Sequence, residues 1–128
     1  MSGNGKPSGQ EPGSADVEVA RLDASIAVLI PKGGLDGEQL EHALHRCLET
    51  LLSDGVTGFV IDMNSYAVLD SSGLGALVAS HGDVASNGAR LVLTGVGEQL
   101  RRTLSRAMLL QVLPVYETIE RAFAALRK

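Results

Sequence analysis

Two hydrophobic rhythms alternate along this chain. "VEVARLD", Val17 to Asp23, switches between apolar and polar residues with a period of two, as a half-exposed strand does. "SIAVLIP", ending at Pro31, is a more continuous apolar run and reads as a buried strand. The short "DAS" at Asp23 to Ser25 leaves room only for a tight connection, so the two strands are expected to form a hairpin. The period then lengthens. Leu40, Ala43, Leu44, Cys47, Leu48, Leu51 and Leu52 fall at i, i+3, i+4, i+7, i+8, i+11 and i+12, which is one apolar stripe of a helix. Asp36 stands near its start as a cap and Gly55 lies beyond its end.

The alternation repeats three more times. "GFVIDM", Gly58 to Met63, reads as an interior strand, and a helix is expected from Ser72 to about Ser86, stopped by Asn87 and Gly88. "ARLVLT" is a strand, "GVGEQLRRTLSRAML" a helix, "QVLPVY" a short strand and "ETIERAFAALRK" a final amphipathic helix. Strands that alternate with helices predict an α/β fold with a mainly parallel sheet and crossover helices. The hairpin adds one antiparallel strand and makes the sheet mixed.

Residues 1–15, "MSGNGKPSGQEPGSA", contain nothing that can bury enough surface to offset the entropy of ordering. They are expected to form a disordered tail before a single domain over residues 16–128. With 45% hydrophobic residues that domain can bury a real core, and with only 3% aromatics the core must be aliphatic. The scarcity of aromatics argues against a base-stacking surface, and a net charge of −4 gives no electrostatic reason to expect nucleic acid or an anionic membrane. The single cysteine, Cys47, excludes an internal disulfide and fits a reducing cytosol. No apolar leader and no run long enough to span a bilayer is visible, so a soluble cytoplasmic protein is expected. His42 and His45 stand off the helical stripe near Glu38 and Glu41. Two histidines on one helix without a third ligand are read as solvent-facing residues and not as a metal site.

The chemistry concentrates in "LDSSGLGALV", Leu69 to Val78. Asp70, Ser71, Ser72 and Gly73 stand where a strand gives way to a helix, the place where ligands collect in open α/β sheets. One serine is enough to cap a helix. A second hydroxyl, a carboxylate and two first-turn glycines, Gly73 and Gly75, go beyond that need, and each glycine costs about 1 kcal/mol relative to Ala. Two explanations stay open on these residues alone. One is a plain cap with small residues that let the helix approach the sheet. The other is a modifiable serine at a helix N-terminus, where a phosphate is tolerated and where small residues let a partner come close. Along the helix, Leu74, Leu77, Val78, Val84 and Ala85 form an apolar stripe expected to line the core, with His81 at the next step along it. A second face carries Ser72, Gly75, Ala76, Ala79, Gly82, Asp83 and Ser86, nearly all small.

Two decoys fall away. A hydrolase elbow needs Gly two residues before its serine, and Leu69 occupies that place relative to Ser71. Gly95-Val96-Gly97 follows a strand as a dinucleotide fingerprint does, but position 100 is Leu and the third glycine is missing.

Together these motifs resemble the STAS domain family, and within it the bacterial anti-sigma factor antagonists. The likeness runs from about Val17 to the C-terminus and is most specific in "DSSGLGALV", preceded by "VIDM" at Val60 to Met63. "GGLD" at Gly33 to Asp36 stands where the family usually shows Gly-Glu-Leu-Asp. Ser80 and Gly82 stand where basic residues are common, and Ala107-Met108-Leu109 where Thr-Gly-Leu is. The resemblance implies a STAS fold of four to five strands and about four helices. It implies a binding protein without catalytic residues, cofactor or metal. Such antagonists bind an anti-sigma factor that is also a serine kinase and so free a sigma factor. The kinase phosphorylates the serine after the motif aspartate, here Ser71, and a PP2C-type phosphatase restores it. Asp36, Asp70, Ser72 and Gly73 would then form the surroundings of the phosphosite, with Ser72 helping to cap the helix. Leu74, Gly75, Ala76, Ala79, Ser80 and Asp83 would meet the partner, and a homodimer is an assembly the resemblance allows. The alternative is a STAS module acting as scaffold in a sensory assembly or as an accessory subunit of a transporter, with Ser71 only a cap.

Overall fold

The computed structural model describes residues 15–128. The tail expected over residues 1–15 lies, apart from Ala15, outside the described residues. Ten elements follow in order: β1 (Val17–Arg21), β2 (Ile26–Pro31), α1 (Gly37–Ser53), β3 (Gly58–Asp62), α2 (Ser71–Ala85), β4 (Arg90–Thr94), α3 (Glu98–Arg106), a 3₁₀ turn (Leu109–Gln111), β5 (Val115–Tyr116) and α4 (Ile119–Leu126). The sheet order is β1-β2-β3-β4-β5, with β1 antiparallel to β2 and every other pair parallel. The expected hairpin and mixed α/β sheet are both present. Asp23 Oδ1 closes the hairpin by accepting from the Ser25 and Ile26 amides, each at 2.8 Å.

The sheet is buried on both faces, which explains why β2, β3 and β4 read as continuous apolar runs. Ala27, Phe59 and Leu91 lie side by side in the register, as do Leu29, Ile61 and Leu93, and all six face the core shared with α1, α2 and α3. Val28, Val60 and Val92 form the row on the opposite face, under Ala122 of α4. Three helices therefore cover one face and α4 the other.

The α1 stripe is buried as its spacing predicts, with Leu52 half-buried at its edge. Cys47 is part of that core, and burial pushes its thiol up, away from reactivity. Two expected spans shrink. β5 keeps only Val115 and Tyr116 of "QVLPVY", and α3 ends at Arg106. The helix stops because Met108 takes a left-handed conformation, φ 61° and ψ 26°, and turns the chain into the 3₁₀ segment.

Candidate functional site

The carboxyl ends of β2 and β3 deliver the chain to the first turns of α1 and α2 on the same side of the sheet. Asp36 caps α1 through a capping box: Oδ1 accepts the Gln39 amide at 2.8 Å, and Gln39 Oε1 accepts the Asp36 amide at 2.9 Å. Tyr66 fixes the loop leading to α2. Its hydroxyl donates to Lys32 O at 2.7 Å and accepts from the Leu35 amide at 3.2 Å, so the β2–α1 and β3–α2 loops are tied together. No local pattern marks this role; its only signal is a lone Tyr in the β3–α2 loop, whose ring the structure buries.

α2 begins one residue earlier than its pattern suggests, at Ser71, and its cap is Asp70. Asp70 Oδ1 accepts the Gly73 amide at 2.8 Å and the Ser72 hydroxyl at 2.9 Å. The expectation that Ser72 helps to cap the helix is therefore corrected. A carboxylate accepts more strongly than a hydroxyl, and Ser72 turns its own hydroxyl back as a donor to it. The Gly73 amide first, and then the Ser72 hydroxyl, hold the Asp70 carboxyl below the usual carboxylate range. Ser71 is exposed, and its hydroxyl makes no hydrogen bond among the described residues.

Two of the glycines here are demanded by contact. A Cβ on Gly37 would collide with the Ser72 side chain, so the first turns of α1 and α2 touch backbone to side chain. A Cβ on Gly73 would lie 2.8 Å from Leu69 Cδ2, a close packing that explains that glycine without any ligand. Gly75 and Gly82 differ: nothing lies within 4 Å of a Cβ placed on either, although both stand inside a helix.

The partner-facing set divides. Gly75 is exposed, Leu74, Ala79 and Asp83 are half-buried, and Ala76 and Ser80 are fully inside. Ala76 and Ser80 are therefore core residues and not surface ones, and Ser80 satisfies its hydroxyl on Ala76 O at 2.9 Å. Conversely Val78 and Ala85, expected in the core, are exposed, Val78 at 46%. The physical reason is α1. The side of α2 that carries Ser72, Ala76, Ser80 and Asp83 turns toward it, because only small side chains fit a seam as close as Gly37 against Ser72. At the far end of that seam His45 Nδ1 meets Asp83 Oδ2 at 2.9 Å, a pairing the sequence did not suggest. The Asp83 hydrogen bond first raises the His45 pKa, against a smaller opposing effect of burial.

What remains outward on α2 is one stripe at helical spacing, Ser71, Gly75, Val78, Gly82 and Ala85, with the exposed Ser72 beside its head. Val68, 52% exposed, stands just before it. Gly95 takes φ 69° and packs against Asp62 and Asn64, which makes Gly95–Gly97 a tight βα turn. Among the described residues no group of three acidic, His or Cys side chains could hold a metal, and no helix is long and apolar enough to cross a membrane.

The sequence matches the STAS domain family over residues 19–122, and the chain belongs to that family. Solved structures agree on the fold. An anti-sigma factor antagonist from Mycobacterium paratuberculosis is 24% identical with a TM-score of 0.71, over 91% of this chain and 99% of its own. SpoIIAA, an anti-sigma factor antagonist, matches in its unphosphorylated form at 18% identity and TM-score 0.71, over 87% and 96%. The Bacillus SpoIIAA in phosphorylated form matches at 19% and 0.65, over 87% and 99%. A sulfate transporter family protein from Wolinella succinogenes matches at 21% and 0.73, over 84% and 89%.

Proposed function

We propose that this protein is an anti-sigma factor antagonist. It binds a cognate anti-sigma factor that is also a serine kinase, releases a sigma factor, and is switched off by phosphorylation of Ser71. A PP2C-type phosphatase would reverse the switch. The protein acts by binding and not by catalysis.

One observation carries this reading: Asp70, not a serine, caps α2, which leaves the Ser71 hydroxyl exposed and unengaged at the head of the outward stripe. A phosphate there would add a charge of about −1.5 to −2 beside the ionised Asp70 and at the edge of the surface a partner would cover. The helix N-terminus tolerates that charge, so the fold survives while docking does not. Gly75 and Gly82 support the same surface. Each costs the helix about 1 kcal/mol relative to Ala, and no internal contact requires either. A partner backbone approaching closely would. Similar antagonists, SpoIIAA among them, support the class of partner, and its two recorded phosphorylation states support a switch of this kind.

The test is capture of the cognate anti-sigma kinase by wild type, Ser71→Ala and Ser71→Glu. Wild type and Ser71→Ala should bind, and Ser71→Glu should not. Equal binding by all three contradicts the switch. The transporter-family likeness supports a second reading, a STAS module docked on a transporter or a large sensory assembly. Capture of such a complex in place of a small ATP-binding kinase would favour it.

A further inference from the structure

On the face of the sheet away from α2 lies a trough of about 520 Å³ lined by Arg90, Tyr116, Arg121, Ala124, Ala125 and Lys128. Three cations line it, and no side-chain carboxylate does, in a chain whose net charge is −4. Arg121, Ala124, Ala125 and Lys128 follow one another at i, i+3, i+4 and i+7, so the floor is two methyl groups with a cation at each end. Arg90 enters from β4 and is tethered beside the last turn of α4 by donating from Nη1 to Ala125 O at 3.2 Å. Glu117 stands 3.5 Å from Arg121, but both side chains are more than two-thirds exposed, and such a pair is easily exchanged.

We propose that this trough binds an extended acidic segment of a partner protein. The cations are spread along α4, with Arg121 in its first turn, Arg90 tethered at Ala125 in its last and Lys128 two residues past its end, whereas a compact anion would need them to converge. Arg121 and Lys128 are seven residues apart, about 10 Å at the helical rise, with Lys128 just past the end of α4. In an extended chain, carboxylates at every second residue stand about 6.6 to 6.8 Å apart, so one face of an alternating acidic segment spans the row. Two alanines under it let the backbone lie close. Because α4 and α2 cover opposite faces of the sheet, an acidic partner here and a partner on the Ser71 stripe can be held together.

The full chain, titrated with hexaglutamate and followed by amide resonances, tests this. Separate arms use hexalysine and tripolyphosphate. Hexaglutamate should shift Arg90, Tyr116 and residues 121–128, leave Ser71 to Gly82 in place, and weaken as salt is raised. Arg121→Glu with Lys128→Glu should weaken it about tenfold, and Arg121→Gln with Lys128→Gln by less. Both pairs of substitutions fall on exposed positions and should leave the remaining spectrum folded. Absence of shifts at these residues, an affinity unchanged by the double Glu variant, or equal shifts with hexalysine would overturn the proposal. So would tighter binding of tripolyphosphate at the same residues, which would make the trough a small-anion site.

Discussion

Ser72 Oγ donates to Asp70 Oδ1 at 2.9 Å, and that bond divides the labour between two adjacent serines. The carboxylate caps the helix, Ser72 orients the carboxylate, and Ser71 is left with a free, exposed hydroxyl. The cost of substitution should follow. Asp70→Ala should be the most destabilising of the three, through loss of the cap. Ser72→Ala removes only an exposed donor and should cost about 0.5 kcal/mol. Ser71→Ala should leave stability unchanged. Urea denaturation of the three variants measures the order, and a Ser72→Ala loss larger than that of Asp70→Ala would contradict it.

Gly37 and Gly75 should respond oppositely to the same change. Gly37→Ala drives a methyl into Ser72 and should cost about 1–3 kcal/mol. Gly75→Ala meets open space in a helix and should stabilise by about 0.5–1 kcal/mol while weakening partner capture. A Gly75→Ala protein that gains stability and binds as well as wild type would remove that glycine from the docking surface.

Met108 is the one residue other than glycine with positive φ among the described residues, and it is 64% exposed. Met108→Gly relieves the left-handed conformation and should raise stability by about 1 kcal/mol, read as an upward shift of the thermal midpoint. No change, or a loss, would mean that the thioether makes packing contacts worth the strain.

The His45–Asp83 pair predicts a pH dependence. The folded pKa of His45 is raised above its ordinary value of 6.5, so its stabilising effect is complete below pH 6.5 and is lost as pH rises through the folded pKa. Both side chains are substantially exposed, which keeps the effect small and salt-sensitive. His45→Gln should flatten the stability profile above pH 6.5, and an unchanged profile would show that the pair does not couple the helices in solution.

Where one physical rule dominates, the sequence is legible. The α1 stripe, with full helical periodicity from Leu40 to Leu52, locates that helix and its buried face. The apolar runs of β2, β3 and β4 locate strands covered on both sides. α2 defeats the same method because its residues are small on nearly every side, so its pattern does not say which face turns inward. Contact with α1 decides it and buries Ala76 and Ser80 while exposing Val78. The cap is missed for a related reason. Asp70, Ser71 and Ser72 are all good cap residues, and only the hydrogen bonds distinguish them. Tyr66 and the His45–Asp83 pair join residues 31 or more positions apart, which no local pattern encodes.

The central claim is that Ser71, and not Ser72, carries the switch. Incubating the protein with its anti-sigma kinase and ATP, followed by phosphosite mapping of wild type, Ser71→Ala and Ser72→Ala, tests it most directly. A single phosphate is expected on Ser71 in wild type and in Ser72→Ala, and none in Ser71→Ala. A phosphate on Ser72, or undiminished incorporation into Ser71→Ala, would contradict it.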